Sequence, residues 1–124
     1  MNSPEVTMID AVATTDFVAH EKAIEAAGIA IRLAMRVPAP LRPVADQAIR
    51  SASSVAANLA EGRGRSGRDR LHFYRIAYAS AKEVDSHLRL LARAGVIDTN
   101  KADGALAAFD EVRAITWRLL HPGP

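Results

Sequence analysis

The chain contains no cysteine, which excludes disulfides and thiolate metal ligands. Aromatic residues fill only 5% of its 124 positions although 49% are hydrophobic. The apolar mass is therefore chiefly Ala, Leu, Val and Ile, a mixture that favours closely packed helices over a sheet. No apolar run approaches the roughly 20 residues that cross a bilayer, and the first residues lack the basic segment and long apolar core of a secretory signal. No window alternates with period two for long enough to predict a strand. The expectation is a soluble, cytoplasmic, single-domain protein, long enough to bury a core.

What is present is helical periodicity. Residues 1–14 show no clear period and are expected to form a flexible N-terminal arm, with the bundle domain over 15–121. Thr15 or Asp16 can cap a first helix to about Arg36, with Phe17, Ile24, Ala27, Ile31 and Met35 as its apolar stripe. Pro38, Pro40 and Pro43 interrupt it, and Pro suits the first turn of the next helix. The second helix is predicted from about Pro43 to Glu61 on Ala45, Ile49, Ala52, Val55, Ala56 and Leu59, with Gly62 as a left-handed terminator. Ser66 and Asp69 have capping-box spacing for a third helix to Ala94. Leu71, Tyr74, Tyr78, Ala81, Val84, Leu88 and Leu91 mark its inner side. Gly95 ends it, and Asp98 or Thr99 caps a fourth helix to about Leu120, with Leu106, Phe109, Val112, Ile115, Leu119 and Leu120 apolar. Four amphipathic helices joined by short loops predict an all-α, antiparallel up-down-up-down four-helix bundle.

The net charge is only +2, from 16 basic and 14 acidic residues, but the charges are segregated. Residues 1–31 carry Glu5, Asp10, Asp16, Glu21 and Glu25 against Lys22. Residues 62–75 carry Arg63, Arg65, Arg68, Arg70 and Arg75 against Asp69. Helix N-termini ordinarily attract acids because that end of the dipole is positive. Arginines crowded at such an end point to an anion, above all a nucleic-acid phosphate, whose geometry suits the guanidinium fork. His72, Phe73 and Tyr74 lie beside them, and Lys82 is a further cation. The other use of these arginines is a solvated face, or salt bridges to the acidic first helix of a neighbour.

At its second and third helices the chain resembles the 23S rRNA-intervening-sequence protein family, a family of four-helix bundles. The residues that carry the likeness are Asp46-Gln47, Arg50-Ser51-Ala52, Ser54-Val55, Asn58-Leu59-Ala60-Glu61-Gly62, Phe73, Ile76-Ala77 and Ser80-Ala81-Lys82-Glu83, and it extends over about 16–120. The resemblance implies a compact bundle assembled into a ring-shaped homo-oligomer, a pentamer in relatives, with no established catalysis. It also extends to accessory proteins of diversity-generating retroelements, in which a basic ring is thought to bind nucleic acid and a reverse transcriptase. One departure is Ala79 where the family has Gly, which predicts a slightly wider helix approach there.

Gln47, Arg50, Ser51, Asn58 and Glu61 form a polar stripe on the second helix, and Ser80 and Glu83 share a face of the third. They make either a site or a network fixing register between helices or protomers. The network is favoured because buried polar groups must be paired. In that arrangement Arg75 would meet Asn58 or Glu61, and Ser80 and Glu83 would meet Arg50 or Ser51. Gly62-x-Gly64-x-x-Gly67 spells a dinucleotide fingerprint, but that motif requires a preceding strand, and a helix is predicted here. His20, His72, His87 and His121 are scattered and the paired Glu-x-x-His motif of a di-iron bundle is missing, so no metal or cofactor is expected. Ser80 has no nucleophile elbow. Trp117 reads as core or subunit contact. The resulting expectation is a non-enzymatic homo-oligomer that binds RNA or DNA by its backbone through Arg63, Arg65, Arg68, Arg70 and Arg75. The alternative is a scaffold for a protein partner such as a polymerase.

Overall fold

The structure is a computed structural model that describes the backbone of residues 4–123 and the side chains of 14–123. Among the described residues there are four α-helices and no strand: α1 (Pro4–Ala34), α2 (Arg42–Arg63), α3 (Gly67–Arg93) and α4 (Thr99–Leu120), with a 3-10 turn at Ala39–Leu41. Helix α1 packs on α2 and α4, and α3 packs on α2 and α4, so the four helices enclose one core. No helix among the described residues is long and apolar enough to cross a membrane.

Helix α1 starts far upstream of Thr15. Residues 4–14, expected as an arm, belong to it, because neither Pro nor Gly interrupts the chain between Pro4, which suits a first turn, and Gly28. The α1 face that enters the core also differs from the expected stripe. Ala19, Ala23, Ala26, Ala27, Ala30, Leu33 and Ala34 are buried. Of the predicted stripe Ala27 is buried and Ile31 packs against the core from a partly buried position, while Phe17 (49% exposed), Ile24 (50%) and Met35 (66%) face outward. An alanine face lets helix axes approach closely, and that proximity displaces the larger side chains to the outside.

The other three helices bury most of their expected stripes, supplemented by small residues. Ala48, Ser51 and Gly62 are buried on α2, Ala77 and Ser80 on α3, and Ala102, Ala105 and Thr116 on α4. Ala79, where a slightly wider helix approach is expected, is exposed on α3. The ends of α3 and α4 follow their caps. Gly95 takes φ +76 and the Val96 N–H returns to the Leu91 carbonyl at 3.2 Å, which closes α3. The Asp98 carboxylate accepts from the Lys101 N–H at 2.9 Å and opens α4.

Two expected signals at the α2–α3 turn are used differently. Gly62 is helical rather than left-handed; α2 continues to Arg63, and the left-handed residue is Gly67 at φ +58. Gly62 is required for space, since a Cβ there would lie 2.7 Å from Tyr74 Cδ1. Ser66 occupies the N-cap position of α3 with no side-chain capping bond, and Asp69 instead faces Arg65.

Candidate nucleic-acid interface

The five arginines around the α2–α3 turn divide into two groups. Arg70 closes the end of α2. Its Nε donates to the Gly62 carbonyl (3.2 Å) and the Arg65 carbonyl (2.8 Å), and its Nη2 donates to the Arg63 carbonyl (3.3 Å). Carbonyls of a last helical turn have no partner within the helix, so this guanidinium serves the fold. Arg63 places its Nε 3.2 Å from Asp16 Oδ1, and its guanidinium lies 5.2 Å from the centre of the Phe17 ring. Arg65 lies between Glu61 (3.6 Å) and Asp69 (3.8 Å) and over the Phe73 ring. Three of the five are thus engaged within the chain.

Arg68 and Arg75 are exposed, and neither forms an ion pair or hydrogen bond with the described residues. Lys82 is also exposed, with its Nζ 5.5 Å from the centre of the Tyr78 ring. These three cations stand seven residues apart on α3, about 10.5 Å per step along the axis. Heptad spacing keeps them within a narrow sector of the helix. Arg68, Arg75 and Lys82 therefore form a basic row on the outer face of α3.

Behind the turn lies a buried cluster that sequence reasoning missed. Asp16 is 3% exposed. Its Oδ2 accepts from the Tyr74 hydroxyl at 3.1 Å, while Arg63 faces Oδ1 off the line of a hydrogen bond. Burial, then the Asp16 charge and hydrogen bond, push the Tyr74 hydroxyl up from its ordinary 10 to about 12. Asp16 resembles a helix cap in sequence because nothing local marks it as the partner of a residue 58 positions away. The one available signal was Gly62, a helical glycine whose reason is the Tyr74 ring.

The polar stripe links α2 to α3. The Ser51 hydroxyl lies 2.7 Å from the Gln47 carbonyl and 3.3 Å from Glu83 Oε2. Ser54 and Ser80 hydroxyls meet at 2.8 Å. Asn58 Nδ2 donates to the Ser54 carbonyl at 2.8 Å and to its hydroxyl at 3.0 Å. Glu83 thus reaches Ser51, one of its expected partners, whereas Ser80 meets Ser54 rather than Arg50 or Ser51. Arg75 does not reach Asn58 or Glu61, because it occupies the outer face of α3 while Glu61 lies beside Arg65. Arg50 is exposed and outside the network, and Gln47 contributes only its carbonyl.

The glycines of the turn follow a helix, so the strand that a dinucleotide fingerprint needs is replaced by α2. Among the described residues no three His, Asp or Glu side chains gather as a metal site. Trp117, read from sequence as core or subunit contact, is 49% exposed. Val112, Thr116 and Leu119 take the inner face of α4 instead.

The profile of 23S rRNA-intervening sequence proteins matches residues 15–118. The chain belongs to the 23S rRNA-intervening sequence protein family. Within that family, the Asn58–Gly62 segment acquires a structural meaning: Asn58 ties into the polar network and Gly62 admits Tyr74. A solved structure from Bacteroides thetaiotaomicron, a protein of unknown function from the S23 ribosomal protein family, has the same fold, with a TM-score of 0.78. It is 23% identical, and the match covers 86% of this chain and 97% of that one. No curated protein matches this chain.

Proposed function

We propose that this member of the 23S rRNA-intervening sequence protein family is a non-enzymatic, cytoplasmic, homo-oligomeric bundle that binds the backbone of RNA or DNA. The observation that carries the reading is the row Arg68, Arg75 and Lys82, exposed on α3 and without an ion-pair partner among the described residues. Arginine forks and an ammonium at regular spacing suit a chain of phosphates. The helices are taken as antiparallel and up-down-up-down. In support, contacts Ser51–Glu83, Ser54–Ser80 and Gly62–Tyr74 run in opposite senses along α2 and α3.

A ring-shaped assembly, a pentamer as the family resemblance implies, would repeat the basic row around its circumference and give avidity that one chain lacks. The outward Phe17, Ile24 and Met35, spaced along one face of α1, favour self-association, since large apolar side chains left at a surface suit an interface. The same face supports the second reading, a scaffold that docks a protein partner such as a polymerase.

The test is titration of fluorescent RNA and DNA oligonucleotides at low and moderate salt, on protein whose solution mass is measured by light scattering. Salt-sensitive binding by an oligomer is the expected result. No binding at low salt would overturn the nucleic-acid reading, and partners surviving nuclease treatment in a pull-down would favour the scaffold.

A further inference from the structure

A surface groove of about 620 Å³ runs between α3 and α4, lined by Tyr78, Asp110, Arg113, Ala114, Trp117 and Arg118. It is shallow and open to solvent, so a flat ring could lie against its wall without being enclosed. Trp117, the single tryptophan of the chain, is half exposed there although His121 stacks on it, with ring centres 4.2 Å apart and planes inclined by 26°. The His121 ring is itself held by its Nδ1, 2.9 Å from the Trp117 carbonyl. One face of the indole is thus braced and the exposed area lies on the remainder.

Arg113 in the groove is offset by Asp110 and by Asp85, 4.0 Å away. Arg118 has no ion pair among the described residues, and Lys82 on α3 lies 5.5 Å from the centre of the ring of Tyr78, which lines the groove. An aromatic platform flanked by unpaired cations has the composition of single-stranded nucleic-acid sites, where bases stack and phosphates meet basic groups.

We propose that this groove captures an unpaired base of a single-stranded nucleic acid, stacked on Trp117, with Arg118 and Lys82 holding the flanking phosphates. The proposal rests on the reading that the outer face of α3 binds nucleic-acid backbone, and adds that the protein selects single strands over duplex. Bases in a duplex are already stacked and cannot enter the groove.

The test uses the full chain with a short oligouridylate, a duplex of equal length, and an abasic strand that keeps the phosphates. Stacking predicts that the oligouridylate quenches the tryptophan fluorescence, whereas the duplex and the abasic strand do so weakly. W117A should weaken oligouridylate binding, read by anisotropy of a labelled strand, about fivefold to a hundredfold, while W117F retains most of it. Both variants should keep the wild-type circular dichroism, since the side chain is half exposed. Equal binding of all three probes, with W117A unchanged, would overturn the groove while leaving the backbone-binding reading intact. A lower solution mass for W117A with unchanged affinity per chain would also overturn it, making Trp117 a subunit contact. No binding of any probe at low salt would overturn both readings.

Discussion

Tyr74 donates its hydroxyl hydrogen to Asp16 across 3.1 Å, joining α3 to α1 on opposite sides of the core. The carboxylate is almost fully buried, so its two oxygens depend on Tyr74 and Arg63. Replacing Tyr74 by Phe should lower stability by about 1–3 kcal/mol, because it strips a buried acceptor of its donor and leaves the ring in place. Thermal unfolding of Y74F at neutral pH measures it.

The same pair fixes a pH dependence. The folded-state value of Tyr74, about 12, lies above the ordinary 10. The stabilisation is thus fully present below pH 10, because both states are then protonated. Above it the unfolded chain loses the tyrosine proton first, so stability falls as pH rises from 10 through 12. Unfolding midpoints should drop more steeply over that window in the wild type than in Y74F. Parallel slopes would show that Tyr74 is not the group responsible.

Gly62 sits in a helix, where Ala is normally better by about 1 kcal/mol. Here the added Cβ would collide with the Tyr74 ring. Gly62→Ala should therefore destabilise the protein, by about 1–3 kcal/mol in line with overpacked cores. Its melting temperature should recover partly when Tyr74 is also made smaller, and a double-mutant cycle reports that coupling.

The arginines should separate by role. R68A/R75A should leave the melting temperature close to that of wild type, since surface changes of this kind shift stability by less than about 0.5 kcal/mol. Oligonucleotide affinity should fall, and the magnitude of the salt slope should drop by about two, one for each phosphate no longer neutralised. R70A should do the reverse: it takes the side-chain donor from the Arg63 and Arg65 carbonyls and one of two donors from Gly62, and should lower the melting temperature. Weakened binding by R70A at unchanged stability would contradict the division.

The outer face of α1 should govern assembly. Ile24→Glu places a charge on the α1 face that also carries Phe17 and Met35, all exposed in the single chain, so the fold should survive while light-scattering mass falls. An unchanged mass would remove this face from the interface.

How much of this was legible in sequence follows from the range of the forces involved. Helix existence, the Gly95 stop and the Asp98 cap depend on residues within a few positions of one another, and periodicity plus cap chemistry disclosed them. The inner face of α1 did not follow from hydrophobicity alone. Both Ile24 and Ala23 are apolar, and only the closeness of α2 and α4 selects the alanine for the inside.

The sequence by itself determined an all-helical chain, its family, and a concentration of arginine near one turn, because composition and local spacing carry those. The folded structure decided what each arginine does. Arg70 found carbonyls, Arg63 found Asp16, Arg65 found Glu61 and Asp69, and Arg68 and Arg75 were left facing solvent. It likewise turned Trp117 outward and buried Asp16 beneath Tyr74. A charged side chain's role is set by what the fold brings within about 4 Å of it: Arg63 finds Asp16 on another helix, whereas Arg65 and Arg70 find their partners within the α2–α3 turn itself.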